Sequence, residues 1–186
     1  MEAHTQYEWA KRAEEAMPKG GLYTPDYPIF YGIVKAAKTA GLEDVRTFLR
    51  DKSLAKGFMT LTRIQYQSSG EDIIIHNFGT LDRYEEQVAF VGRDGKVNSS
   101  DAALPYQRLL GTYDNTQEIL DVFKWLNGTD TYISRVNNRP SVVDERVAWF
   151  SAGSDRAYLG CDGDPAFSYS SFGVRLRKKN LGGGSP

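Results

Sequence analysis

The pattern of apolar and polar positions divides the chain into a helical first third and a remainder in which most elements are strands. Apolar residues spaced three and four apart predict helices, whereas alternation of apolar and polar residues predicts strands. Predicted helices cover residues 3–17, 28–40, 43–51, 101–110 and 115–126. Predicted strands cover residues 58–66, 73–78, 84–91, 130–136, 145–151, 156–160 and 171–178.

This order of elements predicts an α+β fold, with N-terminal helices and a mostly antiparallel mixed sheet core connected by long loops. We expect a helical region at 1–55, an α+β core at 56–180 and a flexible tail at 181–186, with the first two forming one domain. Turn residues between the first three strands predict an antiparallel meander. Trp149 and Phe150 lie in the middle of a predicted strand and are expected to anchor the core.

The charge balance and the small numbers of Cys and His exclude several functions. The chain has 23 Lys and Arg against 24 Asp and Glu, a formal net charge of -1, so overall charge does not draw it to nucleic acid or to an anionic membrane. A single Cys excludes an internal disulfide, and two His exclude a site built from three histidines. No apolar run approaches the ~20 residues that cross a bilayer, and no secretory signal pattern opens the chain. We therefore expect a cytoplasmic protein without membrane contact.

Recognised catalytic motifs are missing from the sequence. It contains no Gly-rich phosphate loop, no dinucleotide fingerprint, no nucleophile elbow and no paired C-x-x-C. We therefore expect no cofactor and no metal, and we favour recognition over catalysis. Cys161 is expected to be a buried structural residue. Asp162 and Asp164 could contribute oxygen ligands to calcium, but a tight turn also explains this Asp and Gly pattern, and we favour the turn.

His76 is the one candidate for acid-base chemistry. An imidazole titrates near neutral pH, so His76 could act as a general base with a nearby carboxylate, from Glu71, Asp72 or Glu86. The alternative is a hydrogen-bonded structural histidine at the end of a strand. We favour this alternative, because a lone His without a partner motif is weak evidence for catalysis.

Arginine and aromatic residues are interleaved through the last third of the chain. They are Arg135, Arg139, Arg146 and Arg156, with Tyr132, Trp149 and Tyr158 between them. Such a set could bind phosphate or carboxylate while the aromatic rings stack on a ring or base. Alternatively, the arginines pair across strands with neighbouring acids, and the near-balanced local charge favours this. These acids are Asp144, Glu145, Asp155 and Asp162.

The C-terminal part resembles a known family over about 40 of the 186 residues. Four segments resemble the end of the formylglycine-generating-enzyme-like branch of C-type-lectin-like domains. They are Arg146-Val-Ala-Trp149, Asp155-Arg156-Ala157, Asp164-Pro165 and Phe172-Gly173-Val174-Arg175-Leu176. This resemblance implies a mixed α/β domain with short strands and long loops. Catalytic members hold copper with paired cysteines or iron with several histidines. Only Cys161 matches in position, so the resemblance points to the non-catalytic members, which bind a ligand or another protein.

These observations together predict a non-catalytic binding module for an unidentified ligand or protein partner. Its predicted contact residues come from the strand-rich last third: Arg139, Arg156, Tyr158, Asp164 and Tyr169. One alternative is a hydrolytic enzyme that uses His76 with a nearby carboxylate. The other is a nucleic-acid-binding protein that uses the Arg and Tyr residues, and it is less favoured. The sequence does not predict an oligomeric state.

Overall fold

The fold is α+β, as predicted. The computed structural model describes residues 3–88, 94–136 and 138–175. Its α-helices are α1 (Gln6–Ala16), α2 (Tyr27–Ala40), α3 (Glu43–Lys56), α4 (Leu104–Leu110) and α5 (Thr116–Asn127). Its strands are β1 (Ala3–His4), β2 (Phe58–Tyr66), β3 (Asp72–His76), β4 (Tyr84–Val88), β5 (Gly95–Lys96), β6 (Asp130–Ser134), β7 (Asp144–Ala152), β8 (Arg156–Gly163) and β9 (Tyr169–Ser170).

Within the described residues, seven strands form a mixed sheet in the order β4-β3-β2-β7-β8-β6-β5. All neighbours are antiparallel except β6 and β8, which run parallel, so the predicted meander of β2, β3 and β4 is confirmed. A separate small sheet pairs β1 with β9. Helix α2 packs on one face of the large sheet, where the ring centroid of Phe30 lies 5.0 Å from those of both Phe58 and Phe150. This aromatic cluster is the centre of the core.

Capping boxes mark the residues at which two of the helices begin. Asn115 and Glu118 form the two reciprocal hydrogen bonds of a capping box before α5, as the residue spacing suggests. Thr5 and Glu8 form the same box before α1, so this helix begins at Gln6 instead of residue 3. The two residues before Thr5 form β1 instead.

The C-terminal strand predicted at 171–178 is wrong over its described part. Residues 171–175 contribute a single β-bridge, in which the amide and carbonyl groups of Val174 and Tyr23 pair at 3.0 and 2.8 Å. Residues 176–178 and the predicted tail at 181–186 lie outside the described residues, as do residues 89–91 at the end of the predicted third strand.

A buried arginine joins α1 to the sheet. The Nε of Arg63 donates to the Gln6 side chain at 2.9 Å, and one terminal nitrogen donates to Glu145 at 2.8 Å. The guanidinium also lies 3.6 Å from the ring centroid of Phe78. Gln6 in turn donates to the carbonyls of Thr60 and Thr62, at the place where the pairing of β2 with β7 shifts register. A helix side chain therefore satisfies two carbonyls at an irregular part of the sheet.

The residue directly before α2 has a buried carboxyl group. Asp26 is 1% exposed and caps the helix by accepting a 2.8 Å hydrogen bond from the Ile29 amide. Burial raises the pKa of Asp26 to about 6, against the opposing effect of the backbone amides of Ile29 and Asn77. The cap therefore places a costly charge in the interior at neutral pH.

Within the described ranges, no helix has the length and apolar character that crossing a bilayer requires.

Replacement of Asp26 by Asn should change how stability depends on pH. Asn is an equally good helix cap but does not ionise. Because the folded pKa of Asp26 lies above the ordinary value of 3.8 for an aspartate, the wild type loses stability as pH rises through about 4 to 6. Between pH 4 and pH 7 the free energy of unfolding should therefore shift in favour of D26N by about 2 kcal/mol. Urea unfolding at several pH values measures this shift.

The exposed Asp51 of α3 offers a matched control. Asp51→Asn should change the free energy of unfolding by less than ~0.5 kcal/mol, because this side chain is exposed. Parallel stability profiles for D26N and the wild type would contradict the assignment of a buried, ionising Asp26.

Candidate functional site

The face of the sheet opposite α2 and Phe150 carries a row of three neighbouring aromatic side chains. We call Tyr132 of β6, Tyr158 of β8 and Trp149 of β7 the aromatic row. The ring centroids of Tyr132 and Tyr158 are 5.9 Å apart, and those of Tyr158 and Trp149 are 6.3 Å apart. All three side chains are half-buried, whereas Ile133 and Leu159, which follow Tyr132 and Tyr158 along their strands, belong to the core.

Trp149 is held flat across the neighbouring strand by Gly160. A Cβ atom added to Gly160 would lie 2.0 Å from Cε2 of the indole, so only glycine leaves room for the ring. The indole Nε1 donates to Asp162 at 2.9 Å, and the second carboxylate oxygen accepts from Ser134 at 2.5 Å. Steric fit and a hydrogen bond therefore fix Trp149 in one orientation.

The position of Trp149 differs from the prediction. Phe150 is fully buried in the core, as expected, but Trp149 lies on the other side of the sheet. Successive side chains of a strand point to opposite faces, so two adjacent residues do not anchor the same core. That alternation was the signal in the sequence that could have placed Trp149 on the exposed face.

A buried tyrosine supports the backbone beneath Trp149. The pairing of β7 with β8 shifts register between Val147 and Trp149. The hydroxyl of Tyr27, the first residue of α2, donates to the Trp149 carbonyl and lies 3.1 Å from the Gly160 carbonyl oxygen. Tyr27 is 0% exposed, so no water replaces this donor. The helix layer thereby fixes the strand segment that presents Trp149.

The cations near the aromatic row have acidic partners. Arg156 donates to Asp155 at 2.7 Å, and its guanidinium carbon lies 5.1 Å from the ring centroid of Tyr132. Arg146 donates to Asp144 at 2.9 Å. Arg146 and Arg156 therefore have acidic partners, but these partners are near neighbours along the chain, so the expected pairing across strands is wrong for these two arginines.

The structure divides the five predicted contact residues into three places. Arg156 and Tyr158 lie together at the aromatic row, with 3.5 Å between the guanidinium and the phenol oxygen. Asp164 and Tyr169 lie beyond the end of β8, and burial raises the pKa of the Tyr169 phenol against the opposing effect of the Asp164 amide. Arg139 lies elsewhere and donates to the Gln67 carbonyl at 3.0 Å.

The surroundings of His76 favour a structural role. The side chain is 0% exposed, its Nδ1 lies 3.1 Å from the Thr62 hydroxyl, and its Nε2 lies 3.0 Å from the Arg108 carbonyl. Burial lowers the pKa of His76 to about 4, so the ring is neutral at physiological pH. Of the acids proposed as its partners, Asp72 accepts from the Gln67 amide and Glu86 from Arg108.

Cys161 and the Asp-Gly-Asp segment both have structural roles. Cys161 is 0% exposed, and burial raises its pKa to about 12, which keeps the thiol protonated. Asp164 forms the predicted turn by accepting from the Ala166 amide at 2.8 Å. Among the described residues, no group of three or more His, Cys, Asp or Glu side chains is placed to hold a metal ion.

Comparison with models of protein families, with curated proteins and with solved structures finds no match for this chain. The resemblance of its C-terminal part to C-type-lectin-like domains stays a prediction.

Replacement of Tyr27 by Phe should destabilise the protein. The change removes one hydroxyl from the core and leaves buried carbonyls of Trp149 and Gly160 without that donor. Such a loss costs about 1–3 kcal/mol. Chemical denaturation of the wild type and Y27F measures it. Tyr113→Phe removes the same group from a side chain that is 99% exposed and should change stability by less than ~0.5 kcal/mol. Equal stability of the two variants would contradict the supporting role of Tyr27.

Proposed function

We propose that this protein is a binding module whose aromatic row stacks against an uncharged, ring-containing ligand. The observation that carries this proposal is the fixed arrangement of three half-buried aromatic rings on neighbouring strands. Aromatic rings that project into solvent from rigid strands can contact a flat ligand face at little cost in conformational entropy. The proposal keeps the predicted binding function but places the contact surface on strands instead of loops.

The charges around the row support an uncharged ligand. Arg156 is paired with Asp155, and Arg146 with Asp144, so a phosphate would have to compete with existing carboxylate partners. Asp162 adds a further negative charge beside Trp149. A nucleic acid needs several cations that can release counterions from its backbone. A sugar ring or an uncharged heterocycle needs only the flat rings and the nearby polar groups.

Trp149 supports a direct binding assay. The chain has three tryptophans, and each indole N–H gives a separate signal in a proton–nitrogen NMR spectrum. Trp149→Phe identifies the signal of Trp149, and the signals of Trp9 and Trp125 serve as internal references. We expect a nucleoside or an uncharged oligosaccharide at millimolar concentration to shift the Trp149 signal in a saturable way and to leave the two reference signals in place.

Two substitutions test whether the row itself is the contact surface. Tyr158→Ala removes the central ring and should weaken binding roughly 5- to 150-fold, because stacking on one aromatic ring contributes about 1–3 kcal/mol. Gly160→Ala should displace the indole and abolish the shift. Gly32→Ala is the matched control, because a Cβ at Gly32 meets nothing within 4 Å. Unchanged binding in both Y158A and G160A would contradict the proposal.

The same assay separates the nucleic-acid alternative from the proposal. A single-stranded oligonucleotide that binds through its phosphates loses affinity steeply as salt rises, whereas an uncharged ring shows a flat response. We expect the flat response. A steep loss of affinity with salt, together with no effect of uncharged rings, would favour the nucleic-acid-binding alternative.

A further inference from the structure

A cavity lies at the other edge of the sheet from the aromatic row. The end of α1 with the turn that follows it forms one wall, and the loop between β3 and β4 forms the other. Its volume is about 690 Å³, which is in the range of pockets that hold small organic ligands. Apolar side chains contribute much of the lining: Met17, Pro18, Tyr23 and Leu81. Leu81 is 90% exposed, so its apolar surface is available to a ligand.

The charged groups at the cavity are predominantly acidic. Glu14 comes from α1, Asp82 from the β3–β4 loop, and Lys19 from the turn after α1. All three are exposed, and none of them forms an ion pair with another described residue. Two carboxylates against one ammonium group leave the lining with a net negative charge. A positively charged ligand would therefore be favoured over a neutral or negative ligand of the same shape.

Tyr23 supplies an aromatic wall to the cavity. The residue is 5% exposed and lines the cavity, and its hydroxyl has no hydrogen-bond partner among the described residues. Burial raises the pKa of Tyr23 to about 12, with further contributions from the charges of Asp26 and Asp82. The phenol therefore stays neutral at physiological pH. A neutral aromatic ring beside carboxylates is an environment that attracts organic cations.

We propose that this cavity is a second binding site and that its ligand is an organic cation with an apolar body, such as an arylalkyl ammonium. The apolar body packs against Met17, Pro18 and Leu81. The cationic group lies between the carboxylates of Glu14 and Asp82, close to the ring of Tyr23. This site is independent of the proposed function of the aromatic row, because it is built from other elements at the opposite edge of the sheet.

Three probes that share one ring system and differ in charge test the proposal. They are naphthylmethylammonium, naphthylmethanol and naphthoate, each titrated into the full chain and followed by backbone amide NMR signals. We expect saturable shifts at residues 80–82 and at the end of α1, with the ammonium binding about tenfold more tightly than the alcohol and the carboxylate binding weakest. Higher salt should reduce the difference between ammonium and alcohol.

Neutralised variants assign the charge effect to named residues. Glu14→Gln and Asp82→Asn should each weaken ammonium binding about threefold to tenfold and leave alcohol binding unchanged. Glu15→Gln is the matched control, because this neighbouring glutamate is exposed but does not line the cavity. The proposal is overturned by equal affinity for ammonium and alcohol, by full affinity in both E14Q and D82N, or by saturable binding of none of the probes. The Trp149 indole signal reports the aromatic row separately from the amide signals of residues 80–82, so failure here and failure at the aromatic row are distinguishable.

Discussion

The requirement that buried backbone carbonyls receive a hydrogen bond shapes this structure more than any other constraint. The large sheet loses its regular pairing in β2 and again in β7, and carbonyls at both places point into the protein interior. Gln6 of α1 donates to two such carbonyls, and Tyr27 of α2 donates to another beneath Trp149. Tyr66 donates to the Cys161 carbonyl in the same way. Helix and sheet are therefore joined by specific hydrogen bonds as well as by apolar packing.

These hydrogen bonds connect the core to the exposed face of the sheet. Tyr27 lies on the helix side and Trp149 on the opposite side, and the carbonyl of Trp149 is the point at which they meet. Gly160 then allows the indole to lie across β8, and Asp162 fixes its angle. A flat ligand would meet a tryptophan whose orientation is already set in the free protein. Such preorganisation reduces the entropy lost on binding.

Local sequence patterns predicted most helices and strands of this fold, whereas they did not predict contacts between residues far apart in the sequence. The cap at Asn115 depends on residues three apart, so spacing alone indicated it. By contrast, the donation from Tyr27 to Trp149 joins residues 122 positions apart, and no local pattern signals it. Residue types in the last third selected Arg139, Arg156 and Tyr158 together, but composition could not show that Arg156 lies beside Tyr158 whereas Arg139 lies near the β2–β3 turn.

The second site depends on a loop instead of a regular strand. Asn77 has a φ of 48°, the one positive value among the described non-glycine residues, and it begins the loop that carries Leu81 and Asp82 to the cavity. Asparagine adopts this left-handed conformation more readily than most residues. Thr80 stabilises the turn by donating to the Asn77 carbonyl through both its amide and its hydroxyl. The strands and this loop therefore present two chemically different surfaces, the first proposed to bind uncharged rings and the second to bind cations.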